Sequence, residues 1–392
     1  MSASPADGPT RLAQKMARLI RTSGPMTVAD FFAMCLADPD DGYYRKKEPF
    51  GAAGDFVTAP EITQLFGEML GIFVVQAWHA QSEPRHVRLV EIGPGRGTLM
   101  QDVLRVVTRI APSLAASMTV HMVEMSPRLA DIQRQTLRDA TPAITWHETL
   151  ADVPGGHLFV LSNELFDALP FHQFVAEGGR FRERVVALDQ DGRLCFARGA
   201  GSIDPAMLPQ DAATQPDGTI AEVAPAREAL MREIAARLRA DGGVCLTIDY
   251  GHTTAGFGDT LQALRAHRFD DPLAAPGEAD LTSHVDFEAL AKAALSEGAY
   301  IAGMAPQGDF LLALGLLERA GRLGAGKSLE EQAAIQSAVE RIAGSGEGRM
   351  GELFKVLAVT GTPVDLPPFA RPQAAGASFV DRTGRRGHHR RA

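Results

Sequence analysis

Two segments of this 392-residue chain carry residue types at spacings that could do chemistry. The first is Leu89-Val90-Glu91-Ile92-Gly93-Pro94-Gly95-Arg96-Gly97, an acid followed by three alternating glycines where a strand should turn into a helix. Glycine admits positive φ and lets the backbone come close to a bulky ligand. In doubly wound α/β sheets ligands sit at the carboxyl ends of the strands. Glu91 at that place suits a ligand with a positive charge, such as the amino group of a methionyl moiety, and would repel a phosphate. The nearest rival is a dinucleotide, whose GxGxxG pattern begun at Gly93 needs a glycine where the chain has Thr98. Glu124, at the end of the next strand, is placed to receive two ribose hydroxyls. Both ligand classes use that feature, so it does not separate them. Glu91 and Thr98 favour S-adenosylmethionine, while a nucleotide site or a structural turn stays open on this motif alone.

The second segment is Leu161-Ser162-Asn163-Glu164-Leu165-Phe166-Asp167-Ala168-Leu169-Pro170, at the end of the strand expected at His157–Ser162 and across the crevice from the glycines. Glu164 and Asp167, three apart, could share one face of a short helical turn. Such a pair could grip a guanidinium by charge-assisted hydrogen bonds and aim one nitrogen at an electrophilic methyl, making catalysis chiefly a matter of positioning. The plain alternative is a capped turn with solvated acids. Asn163 could instead bond an amine or amide, so the loop does not fix the acceptor class.

Weaker candidates surround these. Gly54-Asp55-Phe56-Val57-Thr58 and Tyr43-Tyr44 lie in a Gly/Asp/Pro-rich loop, 38–58, that could fold over the cofactor as a lid, with Asp55 as a further cofactor-binding residue. His172, His252 and His284 are isolated and read as structural histidines. Asp249-Tyr250-Gly251-His252 ends a strand at the crevice without a definite role. Gly321-Arg322-Leu323-Gly324-Ala325-Gly326-Lys327-Ser328 matches the phosphate-loop pattern. That pattern works only between a buried strand and a helix. The residues before it are of helical length and end in charges, so it reads as a link between two helices.

The elements that must position these residues fall into five stretches. Residues 1–85 read as an N-terminal helical cap and lid loop, with helices at Arg11–Arg21, Thr27–Ala37 and Pro60–Ala80. Residues 86–170 alternate strand and helix: Val87–Ile92, Thr98–Arg109, Thr119–Glu124, Pro127–Arg138 and His157–Ser162. Apolar strands alternating with helices imply a parallel sheet covered on both faces. Residues 171–220 form an inserted segment, with strand-like runs joined by Gly-Gly and Asp-Gly turns and a loop over 201–219. Residues 221–360 return to α/β: helix Ala226–Ala240, strand Val244–Tyr250, an irregular stretch 251–284, helix Phe287–Glu297, the run Tyr300–Met304, helices near 309–320 and 329–343, and strand Leu353–Thr360. Residues 361–392 are a tail with a basic end, expected to be disordered and solvated.

Composition excludes several classes. A net charge of −9 argues against broad nucleic-acid binding. No run approaches the roughly 18 apolar residues of a membrane span. Cys35, Cys195 and Cys245 are far apart, so neither a metal site nor a disulfide framework is expected. The first residues lack the marks of a secretory signal and are acidic where an organellar presequence is Arg-rich. A cytoplasmic protein is the expectation, with the mitochondrial matrix only if a presequence has been lost. The oligomeric state is not legible.

Several blocks in order carry a resemblance. They are Gly54–Ile62, Glu91–Gly97, Asn163–Pro170, Ile248–Gly251, Gly277–Phe287, Gln307–Phe310 and Met350–Leu357. On them the chain, from about residue 10 to 360, resembles the MidA family of Rossmann-like methyltransferases of bacteria and mitochondria. The resemblance implies an α/β class I methyltransferase fold with a seven-stranded, mostly parallel sheet, S-adenosylmethionine as cofactor, and a protein substrate. The mitochondrial member is an assembly factor of respiratory complex I that dimethylates an arginine of a core subunit. By analogy Gly93, Gly95 and Gly97 would line the cofactor, Glu124 would hold its ribose, and Glu164 and Asp167 would be the catalytic acids facing the acceptor. The second reading is a non-catalytic assembly chaperone using this fold as a binding module; the third is a nicotinamide-dependent oxidoreductase.

Overall fold

A computed structural model describes residues 8–46, 58–265 and 268–369. Asp55, with the Gly54–Val57 part of the expected lid, lies outside the described residues, as does the tail from 370 onward.

The centre is a mixed sheet of eight strands, where seven mostly parallel ones were expected. Seven form a continuous path: β1 (Arg88–Ile92), β2 (Thr119–Val123), β3 (Ile144–His147), β4 (Leu158–Asn163), β5 (Gly243–His252), β6 (Tyr300–Pro306) and β7 (Phe354–Thr360), in the order β6-β7-β5-β4-β1-β2-β3. Strands β1 to β5 are parallel, and β7 inserts antiparallel between β5 and β6. The eighth strand, Val285–Asp286, is two residues long and pairs with the far end of β5. Leu158–Leu161 and Val244–Ile248 are buried on both faces, which is why, Thr247 excepted, their runs are apolar rather than alternating. The chain order reverses between β1 and β4, the place where doubly wound sheets open a crevice at their carboxyl ends. Both chemistry-bearing segments leave their strands there.

Helix Thr98–Ile110 starts at the glycine turn and packs against helix Gln64–Ala80. Gly67 and Gly71 allow the close approach, since a Cβ on them would meet Asp102 Cβ at 2.5 Å and Val106 Cβ at 2.9 Å. Buried Glu68 ties the layer together by ion pairs to Arg105 and Arg319. The expected helix Pro60–Ala80 is broken at Thr63, whose side chain caps the longer piece by accepting from Leu65 N. The short piece Ala59–Ile62 is thereby aimed at the crevice.

The first two helices, Arg11–Ser23 and Val28–Ala37, pack on the inserted segment instead of on the central sheet. Met26–Thr27 adds a strand to Arg180–Leu188, in a five-stranded antiparallel sheet with His172–Glu177, Leu194–Ser202 and Ile220–Val223. The 201–219 loop therefore runs into a strand, and it holds two short 3-10 turns. The stretch 251–284 is also more ordered than its sequence suggests, with Gln262–Arg265, Arg268–Asp270 and Asp280–Thr282 forming a three-stranded sheet. At the phosphate-loop match, Gly321 and Gly324 lie within helix Leu316–Gly324 and Ser328 caps helix Leu329–Ala343 in a box with Glu331, while Lys327 pairs with Glu331. It is a helix–helix link, as read.

Candidate functional site

The glycine turn has the geometry its sequence requires. Gly93, Gly95 and Gly97 have φ of 68°, 53° and 82°, values that side chains with a Cβ rarely adopt. Gly93 N donates to Val123 O and Gly97 N to Pro94 O, closing the turn onto β2. Gly93, Gly95 and Glu164 line two adjoining cavities. One, about 40 Å³, is also walled by Glu61, Glu91, Arg96, Thr98 and Asn163. The other, about 320 Å³, is walled by Tyr44, Glu124, Met125, Leu129, Leu165 and Leu169 among others.

Glu91 is buried, and its Oε2 has no hydrogen-bond partner among the described residues. Burial pushes its carboxyl up to about 8, helped by the charge of Glu124. Neutral when nothing is bound, it is set to ionise when a cation arrives. Glu124 accepts from Ser126 N at 2.7 Å and from Gln133 Nε2 at 3.1 Å. Burial raises it as well.

Gln133 went unremarked in the sequence, yet it binds the site together. Fully buried, its amide donates to Gly95 O at 2.9 Å and to Glu124, and its oxygen accepts from Trp146 Nε1 at 3.0 Å. Glu61 is a second unremarked acid; its Oε1 accepts from Thr98 Oγ1 at 2.6 Å, joining the Ala59–Ile62 helix to the cofactor turn. The only sequence signal for Gln133 was a polar residue on the inner face of the helix after Glu124.

Across the crevice, Glu164 leaves β4 with φ of 51°, a left-handed conformation uncommon for a residue with a side chain. Such strain persists where surrounding bonds over-determine it. Here Glu164 N donates to Ile248 O at 2.9 Å, and Phe166 N and Asp167 N donate to Asp249 Oδ2 at 2.9 and 3.1 Å. The expected helical turn carrying Glu164 and Asp167 on one face is absent; the turn is set by β5 through Asp249. Glu164 Oε1 accepts from Asn163 Nδ2 at 3.1 Å and more weakly from Ala59 N at 3.4 Å, and Oε2 has no partner among the described residues. Burial and then the charge of Asp167 push Glu164 up to about 8.

Asp167 lies behind Glu164 and lines neither cavity. Its Oδ2 accepts from Tyr250 Oη at 2.6 Å. Burial raises its carboxyl, against the Tyr250 bond and the nearby Arg227 charge. Asp249 and Asp280 are buried in the same region, and both Asp167 and Asp280 act electrostatically on Glu164. Arg227 is the buried cation facing them, but its hydrogen bonds go to Asp167 O, Leu169 O, His284 O and the Ser283 hydroxyl. Among the described residues four acids, Glu164, Asp167, Asp249 and Asp280, thus gather around one buried arginine.

Of the other candidates, Tyr44 joins the wall of the larger crevice cavity. His172 pairs with Glu183 at 2.8 Å. His252 and His284 line a separate cavity of about 380 Å³ beyond Arg227. Among the described residues no cluster of side chains fits a metal ion, and no helix is long and apolar enough to cross a membrane.

Comparison with known proteins places the chain among methyltransferases. Residues 69–305 match a family model described as S-adenosyl-L-methionine-dependent methyltransferase. The protein arginine methyltransferase NDUFAF7 homolog, mitochondrial, of Drosophila melanogaster is 35% identical over 91% of this chain and 86% of its own length. The human protein arginine methyltransferase NDUFAF7, mitochondrial, is 36% identical over 80% of this chain and 75% of its own. A solved structure of a superfamily member from Burkholderia thailandensis, bound to S-adenosyl-homocysteine, superposes with a TM-score of 0.78 at 27% identity, covering 94% of this chain and 99% of that one.

Proposed function

Because the chain belongs to the S-adenosyl-L-methionine-dependent methyltransferase family, we propose that it transfers methyl groups to an arginine of a partner protein, a core subunit of respiratory complex I. The cofactor is S-adenosylmethionine. The residues present fit it: Glu91 offers a buried carboxylate oxygen without a partner, and the three glycines leave the turn open to a close ligand. In this reading Glu91 holds the amino group, Glu124 the ribose hydroxyls, and Gly93, Gly95, Gly97 and Asn163 the surrounding wall. Asp55 belongs to the same proposal from sequence alone. When bound, the cofactor supplies a methyl group made electrophilic by its sulfonium.

The observation that carries the acceptor class is Glu164. Glu164 lines both cavities, and its buried Oε2 has no partner among the described residues; Asp167, Asp249 and Asp280 stand behind it. A guanidinium satisfies that oxygen by charge-assisted hydrogen bonds and compensates the buried negative charge. Glu164 would then orient one guanidinium nitrogen and accept the proton that this nitrogen gives up, the methyl's bond to the cofactor sulfur breaking as its bond to nitrogen forms. Asp167 supplies the second negative charge from behind. The relatives named as protein arginine methyltransferases support this acceptor, and the resemblance to the MidA family supports complex I as its source. The cysteines are free thiols, which suits the reducing cytoplasmic compartment we propose. The test is mass spectrometry of complex I subunits from a strain lacking this protein. Loss of one arginine methylation supports the reading; an unchanged methylation pattern overturns it.

A further inference from the structure

The strand end Asp249-Tyr250 stands out in the sequence but has no part in cofactor binding. Tyr250 is buried, and its ring packs edge-on against Phe354 at 5.3 Å and His284 at 5.7 Å. Its hydroxyl donates to Asp167 Oδ2 at 2.6 Å. Asp167 Oδ1 has no hydrogen-bond partner among the described residues. The preceding residue, Asp249, holds the backbone of the same turn through Phe166 N and Asp167 N. One strand end thus fixes the backbone of the Glu164 turn with one residue and the carboxylate behind Glu164 with the next.

We propose that Tyr250 is a positioning residue for methyl transfer, holding the Asp167 carboxylate in the orientation from which it supports Glu164. The proposal rests on the arginine-acceptor reading. Bound to Oδ2, the hydroxyl decides which Asp167 oxygen stays unengaged. It also favours the charged form of Asp167, because a donor to a carboxylate stabilises the anion. The substrate never touches Tyr250; its effect passes through Asp167. A residue that merely filled space would act through its ring, and Tyr250→Phe keeps the ring.

The test compares wild type, Tyr250→Phe, Asp167→Asn and the double variant. Two readouts are used: methylation of purified complex I core subunits, and carbon-13 titration of the Asp167 carboxyl. Loss of a hydrogen bond to a charged group corresponds to a fall in kcat of roughly 10- to 100-fold. Expected for Tyr250→Phe is a fall in that range, with affinity for S-adenosylhomocysteine within twofold of wild type and the Asp167 titration moved upward. In the double variant the loss should match that of Asp167→Asn alone, because Tyr250 acts only through Asp167. Multiplicative losses, or an Asp167 titration unmoved by Tyr250→Phe, would overturn the proposal. If wild type labels no arginine, the parent reading fails, and the carboxyl titration, which needs no acceptor, still decides the Tyr250 assignment.

Discussion

Cofactor binding should carry a proton signature set by Glu91. Burial holds its carboxyl at about 8 in the free protein, and the ammonium of the ligand requires the carboxylate. The folded, unliganded protein therefore binds a proton at pH 7 that the complex releases. With that value, roughly one Glu91 in ten is ionised at pH 7, so binding there should release about 0.9 proton. Affinity should rise with pH through this window. The ionised fraction grows about 25-fold between pH 6.5 and 8.5, equivalent to about 1.9 kcal/mol of binding free energy. S-adenosylhomocysteine is the ligand to use, because it keeps the amino group but lacks the sulfonium charge that would act on Glu164. Calorimetric titrations in buffers of different ionisation enthalpy read the proton count directly. Glu91→Gln should bind more weakly and lose both the proton release and the pH slope. Wild-type affinity flat from pH 6.5 to 8.5, with no proton released, would rule out Glu91 as the partner of the ligand's ammonium.

Two further outcomes follow from buried contacts elsewhere. Gln133→Leu removes the bonds to Gly95 O, Glu124 and Trp146; about 2–4 kcal/mol of stability should be lost, with weaker S-adenosylhomocysteine binding. Urea unfolding and calorimetry check both, and unchanged values would show that the turn holds itself. His121, buried on β2 with Nδ1 2.9 Å from His147 Nε2, is lowered to about 4, first by burial and then by His147. A histidine depressed in the folded state gives stability that is present above its unfolded value near 6.5 and is lost as pH falls through its folded one. The thermal midpoint should therefore drop between pH 6.5 and 4 by less in His121→Asn than in wild type; equal drops would remove His121 from the account.

The central sheet was legible because its inner strands are apolar on both faces, and Leu158–Leu161 or Val244–Ile248 need no partner to be recognised. Strand β3, Ile144-Thr145-Trp146-His147, was missed. It is a short, partly exposed edge strand that only its pairing with β2 defines. Ile220–Val223 was hidden by Glu222, whose burial depends on Thr260 and Gln173, distant in sequence. The two-residue strand Met26–Thr27, which attaches the first helices to the inserted sheet, is too short to show a period.

At the site, the glycine turn could be read because backbone conformation dictates residue type there, as the positive φ at Gly93, Gly95 and Gly97 shows. The acceptor side could be read only in part. Glu164 and Asp167 lie three residues apart, but Asp249 and Tyr250 reach them from β5 and Asp280 and Arg227 from two further elements, and no spacing announces such a meeting. The expected helical turn failed for the same reason, since Asp249 on β5 sets the loop.

Whether Glu164 receives an arginine beside S-adenosylmethionine is decided by Glu164→Gln. The variant keeps the shape of the side chain and removes its charge. Purified wild type and variant are compared for transfer of labelled methyl to complex I core subunits, with S-adenosylhomocysteine affinity measured on the same samples. Expected are arginine labelling by wild type and a loss of at least about 100-fold in the variant, matching removal of a charge-assisted contact at the reacting nitrogen, with cofactor affinity little changed. Equal labelling by the two proteins would contradict that role of Glu164.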